Sequence, residues 1–231
     1  MQRWEPTAGY AGLRPTHSPP RAMYPTAEVR WFVEGPFPDA AAQWFRAVAG
    51  DHFWEERTDR YVRPTGPDGL GVKGRTGNIE VKRLADVVGT ETLGADAVGR
   101  VECWRKWSFP LAAEAAPRFG ADDWVAVAKR RQKGTFAVRE DRVERVRREA
   151  GMGPGCSLEL AEVGAEDYTW WSVSLEAFGS YDQASLTEYL RRAARHVFAQ
   201  APPFALSAER SMSYPAWLWE LVHDGGPTGE E

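Results

Sequence analysis

The sequence predicts a mainly β fold, an antiparallel sheet or barrel with helices packed outside it. At least seven segments alternate polar and apolar residues, or are rich in β-branched and aromatic residues, as is typical of strands. Most connections between these segments are short enough for hairpins, and few segments have a helical period. Antiparallel pairing of the strands is therefore favoured.

The first half of the chain contains strands interrupted by one helix. EVRWFVEG (28–35) is the first strand, and PDAAAQWFRAVAG (38–50) predicts a short amphipathic helix. RTDRYVRP (57–64) is strand-like and ends at a proline. GVKGRTGNIEVKRL (71–84) predicts a hairpin with a two-residue loop at Gly77–Asn78.

The position of this loop determines which residues face each other across the hairpin. It pairs Arg75 with Glu80, which carry opposite charges, and it pairs Lys73 with Lys82. Like charges directly opposite each other destabilise a ladder. The hairpin therefore indicates that a negative group lies between Lys73 and Lys82.

The second half of the chain predicts four more strands and two helices. The strands are RVECWRKWSF (100–109), DWVAVAKRRQKGTFAV (123–138), CSLELAEV (156–163) and YTWWSVSLEAFG (168–179). The helices are the charged segment REDRVERVRREAG (139–151) and the amphipathic segment SLTEYLRRAARHVFAQ (185–200), in which Ser185 and Glu188 have the spacing of a capping box. Aromatic-rich YPAWLWELV (214–222) is expected to be core or a lid on one end of a barrel.

Composition places these elements in one main domain with appendages. The proline-rich residues 1–26 predict a flexible arm, 27–180 a β domain, 181–223 a helical extension packed on it, and 224–231 a disordered tail. The net charge of −4 gives no reason to expect nucleic acid as a partner. Two cysteines, no apolar run near the roughly 20 residues of a membrane span, and no recognisable secretory signal predict a cytoplasmic protein without a membrane partner.

Charged residues are unusually frequent on one face of the predicted strands, while the opposite faces are apolar. The members of the charged face are Glu28, Arg30, Asp59, Tyr61, Arg63, Lys73, Arg75, Glu80, Lys82, Arg100, Glu102, Trp104, Lys106, Lys129, Arg131, Glu159, Ser172, Ser174 and Glu176. Two arrangements satisfy this pattern. An open sheet turns the charged face to water, whereas a closed sheet turns it inward and forms a polar tunnel.

Lysine usage favours the closed arrangement. The chain has five lysines against 24 arginines, and four of the five share the charged face. None occurs in the two amphipathic helices or in the terminal segments, where a solvated surface normally accepts lysine. This concentration indicates positions at which a compact point charge faces an anion.

These residues resemble the CYTH superfamily, the triphosphate tunnel enzymes. The resemblance covers about residues 28–180 and rests on GVKGRTGNIEVKRL, VAVAKRR and the late acidic pair SLELAEV and WWSVSLEAF. It implies a closed antiparallel barrel of about eight strands whose interior binds a triphosphate. Under it, Lys73, Arg75, Lys82, Lys129 and Arg131 grip phosphates, with Arg30 and Lys106 as further substrate-binding candidates.

The resemblance also implies catalytic glutamates that hold Mg²⁺ or Mn²⁺, namely Glu28, Glu159 and Glu176. The sequence departs from the family here, because Arg30 and Phe32 replace the second glutamate and the lysine of the Glu-x-Glu-x-Lys signature, and Ser174 replaces a glutamate of the last strand. The expected function is therefore metal-dependent hydrolysis of a triphosphate or organic polyphosphate. The alternatives are binding of a small phosphorylated anion without turnover, and a scaffold with an outward charged face.

Overall fold

The strands form a single antiparallel sheet that closes into a barrel. The computed structural model describes residues 21–50, 53–67, 69–75, 77–110, 123–147, 153–165 and 168–223. Its strands are β1 (Arg21–Glu34), β2 (Glu55–Val62), β3 (Leu70–Arg75), β4 (Asn78–Gly94), β5 (Ala97–Pro110), β6 (Trp124–Val138), β7 (Val143–Val146), β8 (Gly155–Ala165) and β9 (Tyr168–Phe178). Its helices are α1 (Asp39–Ala49), α2 (Gln183–Val197) and α3 (Tyr214–His223), with a short 3₁₀ turn at Ala208–Arg210.

Eight of these strands make the barrel, in the order β2-β3-β4-β5-β1-β9-β8-β6, and pairing of β2 with β6 closes it. All of the pairings are antiparallel, and β7 is an extra strand that pairs only with the end of β6. The predicted closed barrel of about eight strands with helices outside is therefore confirmed, and the open-sheet alternative is wrong. Among the described residues, no helix is long and apolar enough to span a bilayer.

Outward-facing apolar residues of the wall form the larger core with the first two helices. Trp31 of β1 and Leu175 of β9 are fully buried in this core, together with Phe45 of α1 and Leu190 of α2. Burial of a side chain of this size contributes about 1.5–3 kcal/mol. Helices α1 and α2 thus pack on the outer face of the barrel wall.

A second core fills one end of the barrel interior. Phe32 lies two and four residues from Arg30 and Glu28 on β1, so strand periodicity places all three on the inner face. Phe32 is fully buried and stacks on Trp217 of α3, with ring centroids 4.7 Å apart. The other buried members of this end plug are Tyr61, Val125, Val127, Ala161, Val163, Ala165, Leu218 and Leu221. The aromatic C-terminal segment therefore forms a helix that covers one end of the barrel.

The register of the β3–β4 hairpin differs from the prediction. Arg75 pairs with Asn78, so the turn lies between them and Gly77 adopts φ +72°, which glycine tolerates. Lys73 consequently faces Glu80, at 2.9 Å, and the predicted pairings of Lys73 with Lys82 and of Arg75 with Glu80 are wrong. A shift of two residues keeps every side chain on its face, so Lys73 and Lys82 still point the same way.

The charged segment predicted as a helix over 139–151 is a turn followed by a short strand in its described part, so the helix prediction is wrong there. Val143–Val146 pairs with the free edge at the end of β6, and the backbone N–H of Arg139 donates to the carbonyl of Arg142 across the turn. Valines three residues apart suit a helix, but pairing as a strand also satisfies main-chain groups at the edge of β6, which a separate helix would leave unpaired. The end of the predicted helix lies outside the described residues.

Two element boundaries also differ from the sequence predictions. β1 begins at Arg21, so residues 21–26 of the predicted arm belong to the barrel, while residues 1–20 and the predicted tail at 224–231 lie outside the described residues. α2 is capped by Asp182, whose side chain accepts from the backbone N–H of Ser185 at 2.8 Å. Ser185 is thus the third helical residue and not the cap.

Candidate functional site: a cationic cavity inside the barrel

A cavity of about 260 Å³ occupies the barrel interior next to the end plug. It is lined by Glu28, Arg30, Arg57, Tyr61, Gly71, Lys73, Glu80, Lys82, Lys106, Lys129, Arg131, Lys133, Glu159, Glu176, Tyr214 and Pro215. Nine of the ten site residues that the sequence predicted are in this set. The side chain of the tenth, Arg75, lies outside the described part of the chain.

The cavity concentrates positive charge in a protein whose net charge is −4. Eight lysine and arginine side chains line it, against four glutamates. All five lysines of the chain are among the eight. The strand periodicity that indicated an inward charged face therefore brings together residues from all eight strands of the barrel.

Three of these cations surround one buried carboxylate. Asp59 is 0% exposed, and its Oδ2 lies 3.2 Å from Lys129 Nζ, 3.2 Å from an Arg57 nitrogen and 3.7 Å from Lys73 Nζ. Burial alone would raise the pKa of Asp59, but Lys73, Lys129 and Arg57 together lower it. Asp59 is therefore an ionised counter-ion that holds together cations from β2, β3 and β6.

Lys129 is the most buried lysine and sits among tyrosines. Its side chain is 4% exposed, Nζ donates to Tyr61 Oη at 2.6 Å, and Nζ lies 3.9 Å from the Tyr214 ring centroid. Burial and the nearby charge of Lys73 lower the pKa of Lys129 well below its usual value, against the opposing effect of Asp59. A further negative charge at this position would favour the protonated ammonium.

Glu159 holds two arginines in place. Its carboxylate accepts from Arg30 at 3.2 Å and from Arg131 at 2.7 Å. Burial would raise the pKa of Glu159, but Arg30, with further cations, lowers it well below its usual value. The Arg30 guanidinium also lies over the Tyr214 ring, 4.9 Å from its centroid, and this contact joins β1 to helix α3.

The more exposed part of the cavity carries three further lysines and two glutamates. Lys82 contacts the Glu28 carboxylate, which also accepts from Thr26, and Lys133 lies 3.6 Å from Glu176. Lys82 pairs in register with Lys106, so a like-charge pair does exist, between β4 and β5. Burial would raise the pKa of Glu176, but Lys133, Lys82 and Lys106 lower it to about 2.

The three predicted metal ligands do not form one cluster. Among the described residues, no three His, Cys, Asp or Glu side chains lie close enough together to hold a metal ion. Glu159 is engaged by two arginines. Glu28 and Glu176, however, are directly opposite each other on β1 and β9, with Cβ atoms about 5 Å apart in such pairs. Two carboxylates can bind Mg²⁺ when phosphate oxygens and water complete its shell.

Sequence reasoning did not select several residues of the cavity as site residues. Lys133 continues the inward alternation of Lys129 and Arg131, so the strand period gave a signal for it. Tyr214 is brought in by α3 from far along the chain, and no local pattern indicates this. Trp104, a member of the predicted charged face, is 2% exposed and donates to Glu102 at 3.1 Å, so it is a packing residue.

Comparison with known proteins gives similarity in structure and none in sequence. No protein-family model and no curated protein matches the chain. The chain is similar to S. pombe Pct1 RNA triphosphatase in complex with the Spt5 CTD, at 10% identity, a TM-score of 0.38 and coverage of 80% of each chain. It is also similar to S. pombe Pct1 RNA triphosphatase alone, at 13% identity, a TM-score of 0.36 and coverage of 80% of this chain and 82% of that one. Neither similarity is close enough to transfer a residue or a function.

Proposed function

We propose that this protein binds the phosphate chain of a triphosphate or of an organic polyphosphate inside the barrel. The observation that supports this is the set of eight cationic side chains around one cavity of about 260 Å³. They outnumber their carboxylate partners by two when buried Asp59, and Glu55, which contacts Arg57 and Arg131, are counted with the four lining glutamates. Several of these carboxylates are shared, as Glu80 is between Lys73 and Lys106, and net positive charge in a partly enclosed cavity is costly, so an anionic ligand would complete this arrangement.

The size and composition of the cavity favour a phosphate chain over a larger anion. Pockets for drug-sized ligands span about 300–1,000 Å³, so this cavity suits a smaller occupant. Lysines from four strands, Lys73, Lys82, Lys106 and Lys129, present point charges at different positions along it. A linear polyphosphate places negative charge on successive groups, which matches cations distributed along a cavity better than a single carboxylate does.

Calorimetric titration with tripolyphosphate at low ionic strength tests the proposal. The unmodified protein is expected to bind, and Lys73→Ala is expected to bind about tenfold more weakly, since a hydrogen bond to a charged group contributes about 1.5–3 kcal/mol. Arg195→Gln is the matched control, because Arg195 is 63% exposed on α2 and pairs only at the surface with Glu188. Absence of binding to the unmodified protein at millimolar tripolyphosphate would leave the scaffold alternative.

Metal-dependent hydrolysis is a second candidate, and the pairing of Glu28 with Glu176 favours it. A divalent cation bound to these carboxylates and to phosphate oxygens would supply charge neutralisation and an oriented water. The cavity's own residues would bind and orient the phosphates, and catalysis of phosphoryl transfer is mainly positioning and electrostatic stabilisation. Glu159 would keep Arg30 and Arg131 fixed toward the transferred group.

Release of inorganic phosphate distinguishes turnover from binding. The protein is incubated with tripolyphosphate and Mg²⁺ or Mn²⁺, beside Glu176→Gln and the surface variant Glu188→Gln. If the protein hydrolyses tripolyphosphate, inorganic phosphate is released only when the metal is present. Glu176→Gln should then lower the rate of release at least a hundredfold, and Glu188→Gln should leave it unchanged. Tight binding with no release under either metal selects the binding function alone.

A further inference from the structure

We propose that the cavity takes its ligand end-first, with a free terminal phosphoryl group at the buried end and the rest of the molecule leaving through the exposed end. The proposal rests on the function proposed above and narrows the ligand class. Linear phosphate chains with at least one unblocked end fit this arrangement. Chains that carry an organic group at both ends do not.

The buried end of the cavity is closed by helix α3 and the end plug. Tyr214 stacks on Tyr61, with centroids 5.4 Å apart, and packs edge-on against Phe32. Behind them Trp217 is 1% exposed and stacks on Phe32. In the described part of the chain, the barrel interior at this end is therefore filled by side chains, which leaves no passage for a chain threading through.

The lining cations become more exposed with distance from this plug. The side chain of Lys129, against Tyr214, is 4% exposed, and that of Arg30 is 14%. Lys82 and Lys106 are 31% and 36% exposed, and Glu176 beside them is 32% exposed. This gradient in exposure gives the cavity a direction, and the cavity meets solvent near Lys82, Lys106 and Glu176.

Tyr214 provides a donor at the closed end that has no acceptor. Its Oη is buried and, among the described residues, it has no hydrogen-bond partner. Burial raises the pKa of Tyr214, so the hydroxyl stays protonated and can only act there as a neutral group. Arg30 and Lys129 lie over the same ring, so a terminal phosphoryl group that contacts these two cations would lie beside Tyr214 and could offer its hydroxyl the acceptor that it lacks.

Titration with two tetraphosphates that differ only in their ends tests the direction. Adenosine 5′-tetraphosphate has one free end, and P1,P4-di(adenosine-5′) tetraphosphate has none. The first is expected to bind at least tenfold more tightly than the second. A difference below tenfold, or failure of adenosine tetraphosphate to bind a protein that binds tripolyphosphate, overturns the end-first arrangement but not polyphosphate binding. Failure of tripolyphosphate itself would instead remove the proposed function.

Tyr214→Phe tests the placement of the terminal group, because it removes only the hydroxyl and keeps the ring that packs on Phe32. The variant is expected to lose about tenfold in affinity for tripolyphosphate while its melting temperature without ligand stays within a few degrees. Tyr181→Phe is the control, since Tyr181 is 73% exposed and outside the cavity, and its affinity should not change. Unchanged affinity of Tyr214→Phe would overturn the placement.

Discussion

Replacement of Asp59 by asparagine is expected to destabilise the ligand-free protein and, at the same time, to strengthen polyphosphate binding. Asp59 is the internal anion of the cavity, because its carboxylate lies within 3.7 Å of Lys129, Arg57 and Lys73. A ligand phosphate would have to share these cations with Asp59. The substitution therefore removes both a stabilising partner of the cations and a competitor of the ligand.

The magnitude follows from the burial of the carboxylate. Asp59 is 0% exposed, so water does not contact its carboxylate, and its partners Arg57 and Lys73 are only 15% and 19% exposed. Removal of one partner from a buried ion pair costs about 3–5 kcal/mol, and 1 kcal/mol shifts the melting temperature of a chain of this size by about 2–4 °C. The ligand-free variant should thus melt roughly 6–20 °C below the unmodified protein. Its affinity for tripolyphosphate should rise about tenfold, which corresponds to about 1.4 kcal/mol.

Thermal unfolding with and without tripolyphosphate, combined with calorimetric titration, measures both effects. Asp141→Asn is the control, because the side chains of Asp141 and its partner Arg142 are 72% and 60% exposed. Loss of an exposed pair changes stability by about 1 kcal/mol or less. If Asp59→Asn has the same melting temperature as the unmodified protein, or binds tripolyphosphate more weakly, Asp59 is not the counter-ion with which the ligand competes.

Two further predictions concern the exposed end of the cavity. Lys106→Gln relieves the like-charge pairing with Lys82 but loses a 3.8 Å contact with Glu80. The free energy of unfolding measured in urea should therefore change by about 1 kcal/mol or less, while the affinity for tripolyphosphate falls about tenfold. Equal affinity would exclude Lys106 from the site. Glu176 has a pKa of about 2 against an ordinary 4.5, so its contribution to stability is complete above pH 4.5 and is lost as the pH falls toward 2. The difference in unfolding free energy between the protein and Glu176→Gln should therefore be smaller at pH 3 than at pH 6, and a constant difference would contradict the assigned ion pairs.

The sequence predicted the barrel wall well because a strand's period of two is a local property. Alternation in 28–34 and 124–133 was sufficient to place Glu28, Arg30, Lys129 and Arg131 on one face before any pairing was known. The distribution of the five lysines then indicated that this face was enclosed, and all five do line the cavity. Closure itself depends on the pairing of β2 with β6, which no single segment encodes.

The register and the buried end could not be predicted in the same way. Whether Lys73 faces Lys82 or Glu80 depends on which residues form the turn, and a change of one loop position moves the pairing by two. The difference matters electrostatically, since it replaces a repulsive pair by an attractive one. Tyr214 reaches the cavity only because α3 packs across the end of the barrel, so its contact with Lys129 is a product of tertiary structure.

Arginine and lysine have different positions relative to the carboxylates, and this separates two tasks in the cavity. Arg30 donates to Glu159 from both terminal nitrogens, while Arg131 donates one bond to Glu159 and two to Glu55, so each guanidinium is fixed by several bonds. The lysines instead hold their acidic partners through one ammonium nitrogen, as Lys133 does with Glu176 at 3.6 Å and Lys73 does with Glu80 and Asp59. A compact ammonium on a flexible stem can exchange such a partner for a ligand oxygen with little rearrangement, whereas a doubly bonded guanidinium cannot. The chain has 24 arginines, yet among the described residues only three of them line the cavity, whereas every lysine does. That selection is explained if the arginines hold the frame and the lysines change partner when a phosphate chain enters.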